Sequence, residues 1–356
     1  MKKRCLALLF LILFLLTGCA QTTQAGSNEV VSAERTSPTA VPVLFVLPTP
    51  MQPTVNPSPQ VESATPTVTP VAPPPTLTAV STSTVQPPTP TATATLYPVP
   101  DSVLVNGLSP DSFIYLPPGA IRNSQNILAH GMMAGRDTHR FSKIGDSIVD
   151  TEQFFVPFET GSYQLGDYQY LQEAVRYYAG SFDRFGFALR SGLNSTAVMD
   201  PMWANKEHCL PNETALACEI RANNPSFLLI HFGTNDWTPT FDRNMRQILN
   251  EAIGKGIVPV LITKANRVDG TNERNDILRA IAAEYELPLW DFDVVAGTLP
   301  DRGLDEDEAH LTISTEFDYS LSGKIYSGYK AFNLSGLIFL DTFMREVVLP
   351  ISENVG

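Results

Sequence analysis

The stretch Pro225-Ser-Phe-Leu-Leu-Ile-His-Phe-Gly-Thr-Asn-Asp236 decides how this chain folds. Phe227–Phe232 is a nearly continuous apolar run, the pattern of a strand buried on both faces of a parallel sheet. It stops abruptly at Gly233-Thr234-Asn235-Asp236, a turn-forming group at the carboxyl end of that strand. In open α/β sheets ligands bind beyond the carboxyl ends of the strands. Asn235 therefore stands where a side-chain amide can meet a ligand.

Working outward, strand and helix patterns alternate. Phe141–Ile144 reads as a first short strand leading into Gly145-Asp146-Ser147. Asp167 can cap a helix whose apolar face is Tyr168, Leu171, Val175 and Tyr178. Phe185–Leu189 reads as a second strand ending at Arg190-Ser191-Gly192, and Phe227–Phe232, preceded by Pro225, as a third. Phe241, Met245, Ile248, Leu249 and Ala252 mark a helix closed by Gly254-Lys255-Gly256. Ile257–Thr263 and Leu287–Phe292 read as strands four and five, with a helix on Ile277, Leu278, Ile281 and Tyr285 between them. A last helix covers Gly328–Val347, with Phe332, Phe339 and Phe343 facing the core. Repeated βα units with short connections predict an α/β fold: a three-layer α/β/α sandwich around a parallel, flavodoxin-like five-stranded sheet.

Ser147, Gly192, Asn235 and Lys264 all fall at strand ends, and Asp307-Glu308-Ala309-His310 follows in a late loop. A serine hydroxyl becomes a useful nucleophile only when a neighbouring base takes its proton. His310 is the candidate base, and Asp307 the group that orients and stabilises its imidazolium. The backbone N–H groups of Ser147 and Gly192 and the Asn235 amide are the candidate donors to an oxyanion. Asp146 and Asp236 are expected to brace their turns, and His231 to pack in the core. Lys264 and Arg190 are expected to be solvated charges, with binding of an anionic substrate group as the other reading.

These blocks resemble the SGNH, or GDSL-type, hydrolase superfamily of esterases and lipases. Gly145-Asp146-Ser147 matches its first block, Gly192 its second, Gly233-Thr234-Asn235-Asp236 its third, and Asp307 with His310 its last. The likeness runs from Phe141 to Val347, and Asp101–Arg140 lies outside the blocks. It implies an ester hydrolase with an acyl-Ser147 intermediate, needing no cofactor and no metal. Two departures stand out. Glu308-Ala309 occupy the place where the family often has a glycine, and Ile313–Ser327 separates the histidine from the last helix more widely than is usual.

The ends read differently. Lys2-Lys3-Arg4 precedes the apolar run Cys5–Leu16, which is shorter than the about 20 residues needed to span roughly 30 Å of bilayer. It has the form of a secretory signal and ends in Leu16-Thr17-Gly18-Cys19, which resembles the lipobox of bacterial lipoproteins. That resemblance implies a signal peptide over 1–18 and lipidation of Cys19; an ordinary secretory signal is the other reading. Residues 19–100 form an anchored linker rich in Pro and Thr, extended without a packed core, either a spacer or a linker of no selected length. Residues 101–356 form the hydrolase domain. The expected location is the cell envelope, on the extracytoplasmic side of a bacterial membrane, with the membrane as a partner through the lipid.

The formal net charge of −13 argues against a nucleic-acid partner, which needs clustered Lys and Arg. Cys209 and Cys218 are expected to form a disulfide in an oxidising compartment; His208 beside Cys209 has no further ligand at zinc-site spacing. The expected substrate is a small-molecule or glycan ester. Two other functions fit the sequence less well: a non-catalytic surface module that binds glycans, and an envelope acyltransferase.

Overall fold

The computed structural model describes residues 97–100, 103–320 and 323–355. The signal segment, Cys19 and the linker up to residue 96 lie outside the described residues. Among those described, no helix is long and apolar enough to cross a membrane.

The chain runs β1 (Ile114–Tyr115), α1 (Pro118–Met133), β2 (Asp137–Gly145), α2 (Val156–Thr160), β3 (Tyr163–Gln164), α3 (Gln172–Tyr177), α4 (Ala215–Asn223) and β4 (Pro225–His231). It continues through α5 (Thr238–Gly254), β5 (Val258–Ile262), α6 (Glu273–Glu284), β6 (Leu289–Trp290), α7 (Phe292–Ala296), β7 (Phe317–Asp318), α8 (Gly328–Phe343) and α9 (Leu349–Val355). The main sheet has five strands in the order β1-β6-β5-β4-β2, and β3 pairs with β7 in a separate two-stranded sheet. Strands β2, β4, β5 and β6 are parallel. Helices α4, α5 and α6 lie against this sheet, as does α1, which also packs on the turns that follow α8. The fold is the expected α/β sandwich with a mostly parallel sheet.

The register aligns the functional rim. Phe141 is level with Phe227 and Gly145 with His231, so both strands release their chains at the same height. A Cβ on Gly145 would come within 2.4 Å of the His231 carbonyl oxygen. Glycine is what lets β2 turn there against β4.

Four expectations need correction. Phe185–Leu189 is not a strand: only Leu189 bridges Gly145. The Phe187 N–H is taken by the Glu219 carboxylate at 2.6 Å, and Phe185 is 65% exposed. These aromatic residues serve a surface cleft instead of a sheet. The fifth strand is β1, from the segment ahead of the recognisable blocks, and it runs antiparallel to β6. Asp167 caps no helix: Gly166 has φ +54°, a 3₁₀ segment covers Gly166–Leu171, and Tyr168 departs from helical angles. The last helix passes into a π-turn at Met344–Val348. Elsewhere the periodic residues pack as expected: Phe241, Met245, Ile248, Leu249 and Ala252 on α5, and Phe332, Phe339 and Phe343 on α8, are fully buried.

Lys143, four residues ahead of Ser147 on β2, sits in this core at 5% exposure. Its Nζ donates to the Phe182 carbonyl at 2.6 Å and lies 5.8 Å from the Phe154 ring centre. Burial pushes its ammonium down from 10.5 to about 8. A buried cation with one acceptor is expensive. Replacing it by methionine is expected to stabilise the protein by about 2 kcal/mol at neutral pH in urea unfolding. The folded pKa lies below the unfolded one, so the unfolded chain holds the extra proton between them. Stability from this group therefore rises as pH climbs from about 8 to 10.5. The difference between wild type and Lys143→Met is expected to shrink across that window.

Candidate active site

Ser147 leaves the end of β2 on a turn held by Asp146. That aspartate is fully buried; its Oδ1 accepts from the Ile148 N–H at 3.0 Å and its Oδ2 from the Asn235 amide at 3.3 Å. Asp236 braces the neighbouring turn after β4: its Oδ2 accepts from the Gly233 N–H at 2.9 Å, and its Oδ1 from the N–H and hydroxyl of Ser195. Burial pushes the Asp236 carboxyl up, against the pull of these donors. His231 is buried, as expected, with Nδ1 3.7 Å from Asp146 Oδ1.

The late loop closes over this rim. His310 Nε2 lies 2.8 Å from Ser147 Oγ, and His310 Nδ1 lies 2.5 Å from Asp307 Oδ2. Asp307 Oδ1 also accepts the N–H groups of Ala309 and His310, at 3.0 and 2.9 Å. Hydrogen bonds from the His310 ring and these two amides hold the Asp307 carboxyl down at about 2. The carboxylate thus stays charged and points at one ring nitrogen while the other faces the hydroxyl. Glu308, standing where a glycine was to be expected, takes φ +57°. The loop keeps a left-handed turn there without the residue that adopts it most cheaply.

Gly192 lies in a turn with φ +76°. Ser191 N–H donates to Asp150 Oδ2 at 3.1 Å and Leu193 N–H to the Arg190 carbonyl at 3.0 Å. Arg190 N–H in turn donates to the Gly145 carbonyl at 3.3 Å, tying this turn to the end of β2. Among the described residues, neither the Ser147 nor the Gly192 N–H has a protein acceptor. The Asn235 amide reaches Asp146 Oδ2 and the Leu193 carbonyl, 3.3 and 3.5 Å away, and so sits between the neighbours of Ser147 and Gly192.

Lys264 is not a solvated charge. It is 1% exposed, and its Nζ donates to the carbonyl and Oδ1 of Asn266 at 2.8 and 3.1 Å, with Asp269 at 3.5 Å. Burial lowers its pKa. Asn266, unnoticed in the sequence, donates from its amide to Thr234 Oγ1 at 2.9 Å and to the Ala309 carbonyl at 3.3 Å. It joins the loop of Asn235 to the loop of His310. Its only sequence signal is its position just beyond β5. Arg190 is exposed, as expected.

The Cys209–Cys218 disulfide is present, linking the loop after Trp203 to α4. In the chain-entropy model a loop this short contributes roughly 2.5–3 kcal/mol. Of the metal-type ligands grouped among the described residues, Cys209 and Cys218 are committed to this bond and Glu213 pairs with Arg221 at 2.8 Å.

No protein-family model matches the chain, and no curated protein matches it. Its structure is similar to several solved ones. A protein of the G-D-S-L family from Desulfitobacterium hafniense is 15% identical over 57% of this chain and 99% of its own, with a TM-score of 0.36. A lipase/acylhydrolase from Enterococcus faecalis is 16% identical over 58% and 96%, with a TM-score of 0.38. An acetylxylan esterase from Geobacillus stearothermophilus is 16% identical over 59% and 94%, also with a TM-score of 0.38.

Proposed function

We propose that this chain is a serine ester hydrolase of the SGNH type, with Ser147 as nucleophile. One observation carries the reading: the unbroken series Ser147 Oγ, His310 Nε2, His310 Nδ1, Asp307 Oδ2, with gaps of 2.8 and 2.5 Å, at the carboxyl rim of a parallel sheet. His310 takes the hydroxyl proton as Ser147 Oγ attacks the ester carbonyl, and Asp307 stabilises the imidazolium that results. The charge arriving on the carbonyl oxygen is met by the N–H groups of Ser147 and Gly192 and by the Asn235 amide. His310 then gives its proton to the departing alkoxide, leaving an acyl-Ser147 ester. Water repeats the sequence with the acyl enzyme and frees the acid.

Exposure favours a short acyl group on a bulky alcohol. The His310 and Asp307 side chains are 47% and 52% exposed, so the reacting edge lies open on the surface instead of at the end of a tunnel for a long chain. Removal of acyl groups from glycans suits that shape best, with small or lipid esters next. The lipobox-like Leu16–Cys19 supports an enzyme tethered through Cys19 outside the cytoplasmic membrane.

A fluorophosphonate probe tests the nucleophile directly. The wild-type protein is expected to be labelled and Ser147→Ala not. Equal labelling of the two overturns the assignment.

A further inference from the structure

Beside Gly192 the surface opens into a cleft of about 350 Å³, lined by Asp150, Phe185, Phe187, Arg190, Leu193 and Trp203 among others. Two of the segments that line it also carry site residues. Asp150 is three residues past Ser147, and Arg190 and Leu193 flank the turn that presents the Gly192 N–H. Its walls are fixed in place. The buried Glu219 accepts the Phe187 N–H at 2.6 Å and the Asn223 amide at 2.7 Å, and Asn223 also reaches the Phe185 carbonyl at 3.2 Å. The disulfide ties the loop following Trp203 to the same helix as Glu219.

The contents of this cleft are of two kinds. Aromatic surface is left bare, with Phe185 65% and Trp203 50% exposed, and Phe187 packs edge-on to Phe185 at 5.3 Å between ring centres. The Arg190 guanidinium lies 4.9 Å from the centre of the Trp203 ring, with Nη1 3.5 Å from the Trp203 carbonyl oxygen. Among the described residues no carboxylate stands within ion-pair distance of Arg190, whereas Arg246, Arg279 and Arg302 are each paired with one. Asp150 spends one oxygen on the Ser191 N–H. In a chain of net charge −13, an arginine held by stacking, with no carboxylate on its fork among the described residues, is set up to meet a planar anion. Aromatic rings beside it suit the C–H face of a sugar, and the volume lies in the range of small-ligand sites.

We infer that this cleft is the leaving-group subsite for an acidic sugar, whose carboxylate pairs with Arg190 and whose ring packs on the Trp203 side of the groove. The inference rests on the hydrolase reading and names its substrate class: an O-acylated, uronate-bearing glycan.

Two acetylated oligosaccharides of equal length, one neutral and one carrying a uronic acid, provide the test. At low salt the wild-type enzyme is expected to prefer the acidic substrate at least tenfold in kcat/KM. Arg190→Gln is expected to remove that preference mainly by raising KM, Arg190→Lys to restore part of it, and 0.5 M salt to weaken it. An equal loss on both substrates, or no preference in the wild type, overturns the subsite. Calorimetric titration of Ser147→Ala with the deacetylated acidic and neutral oligosaccharides separates the two readings. Tighter binding of the acidic sugar, weakened at least tenfold by adding Arg190→Gln, supports the subsite even if no ester is turned over, in which case the hydrolase reading is the one that fails. Turnover and Ser147 labelling without any acidic preference leave the hydrolase standing and sink the subsite.

Discussion

Replacing His310 by alanine is expected to lower kcat on a simple acetyl ester by about 10⁶-fold, with the folded structure retained. The size follows from the geometry. Among the described residues Ser147 Oγ has one base within reach, the His310 ring nitrogen at 2.8 Å. Without it the hydroxyl must lose its proton to water, and the leaving alkoxide has no donor. Asp307→Asn is expected to lower kcat less, by about 10⁴-fold, and by another route. An amide in place of the Oδ2 that lies 2.5 Å from Nδ1 favours the wrong ring tautomer, so Nε2 carries a proton when it should accept one. Initial rates measured alongside thermal unfolding check both. Activity within tenfold of wild type in either variant, with the protein folded, contradicts the proposed roles. The acid side of the pH profile follows from the same contact. Asp307 is held at about 2, below its ordinary 3.8, so it stays ionised over the working range and loss of its charge costs rate only in strong acid. What the contact adds to stability is present above 3.8 and disappears only as pH drops toward about 2.

Asn235→Ala is expected to reduce kcat by 10²–10³-fold, about 2.7–4 kcal/mol of transition-state stabilisation, while KM changes little. In the resting protein the amide makes only long contacts, 3.3 Å to Asp146 Oδ2 and 3.5 Å to the Leu193 carbonyl. Hydrogen bonds of that length are weak, so turning an N–H toward a developing oxyanion gives up little. The gain appears only once the carbonyl oxygen carries charge, and the loss therefore falls on kcat. Asp146 keeps its bond from the Ile148 N–H in the variant, so the serine turn is expected to stay intact. A rise in KM at constant kcat would show that Asn235 contacts the bound ester in the ground state and has no special role in the transition state.

The parts of this site differ in how plainly they show in the sequence. Pro225–Asp236 shows both a strand and its function, because a strand covered on two faces must be apolar throughout and must stop where the turn begins. The α5 pattern is equally plain, since one helical face meets the core. Phe185–Leu189 misleads for a definite reason. Its aromatic residues have the composition of a strand, but they are held at a cleft by Glu219, a residue distant in sequence. Ile114–Tyr115 misleads in the opposite way: an edge strand of two residues carries no period to detect. Asn266 and Lys264 are ordinary polar residues in sequence, and only their partners across the rim give them a role.

The sequence by itself determined the βα units from Pro225 to Trp290, the placement of Ser147 and Asn235 just past strand ends, and the placing of Asp307 and His310 in one loop. Each of these rests on local pattern: apolar runs, turn residues and a spacing of three. Tertiary structure alone decided that His310 meets a serine 163 residues away, that Lys143 and Lys264 lie buried, and that Arg190 stacks on Trp203 beside Gly192. Those outcomes depend on which distant groups share one rim of the sheet. Burial and pairing of a charge are set by neighbours in space, and adjacent residues in the chain carry no record of them.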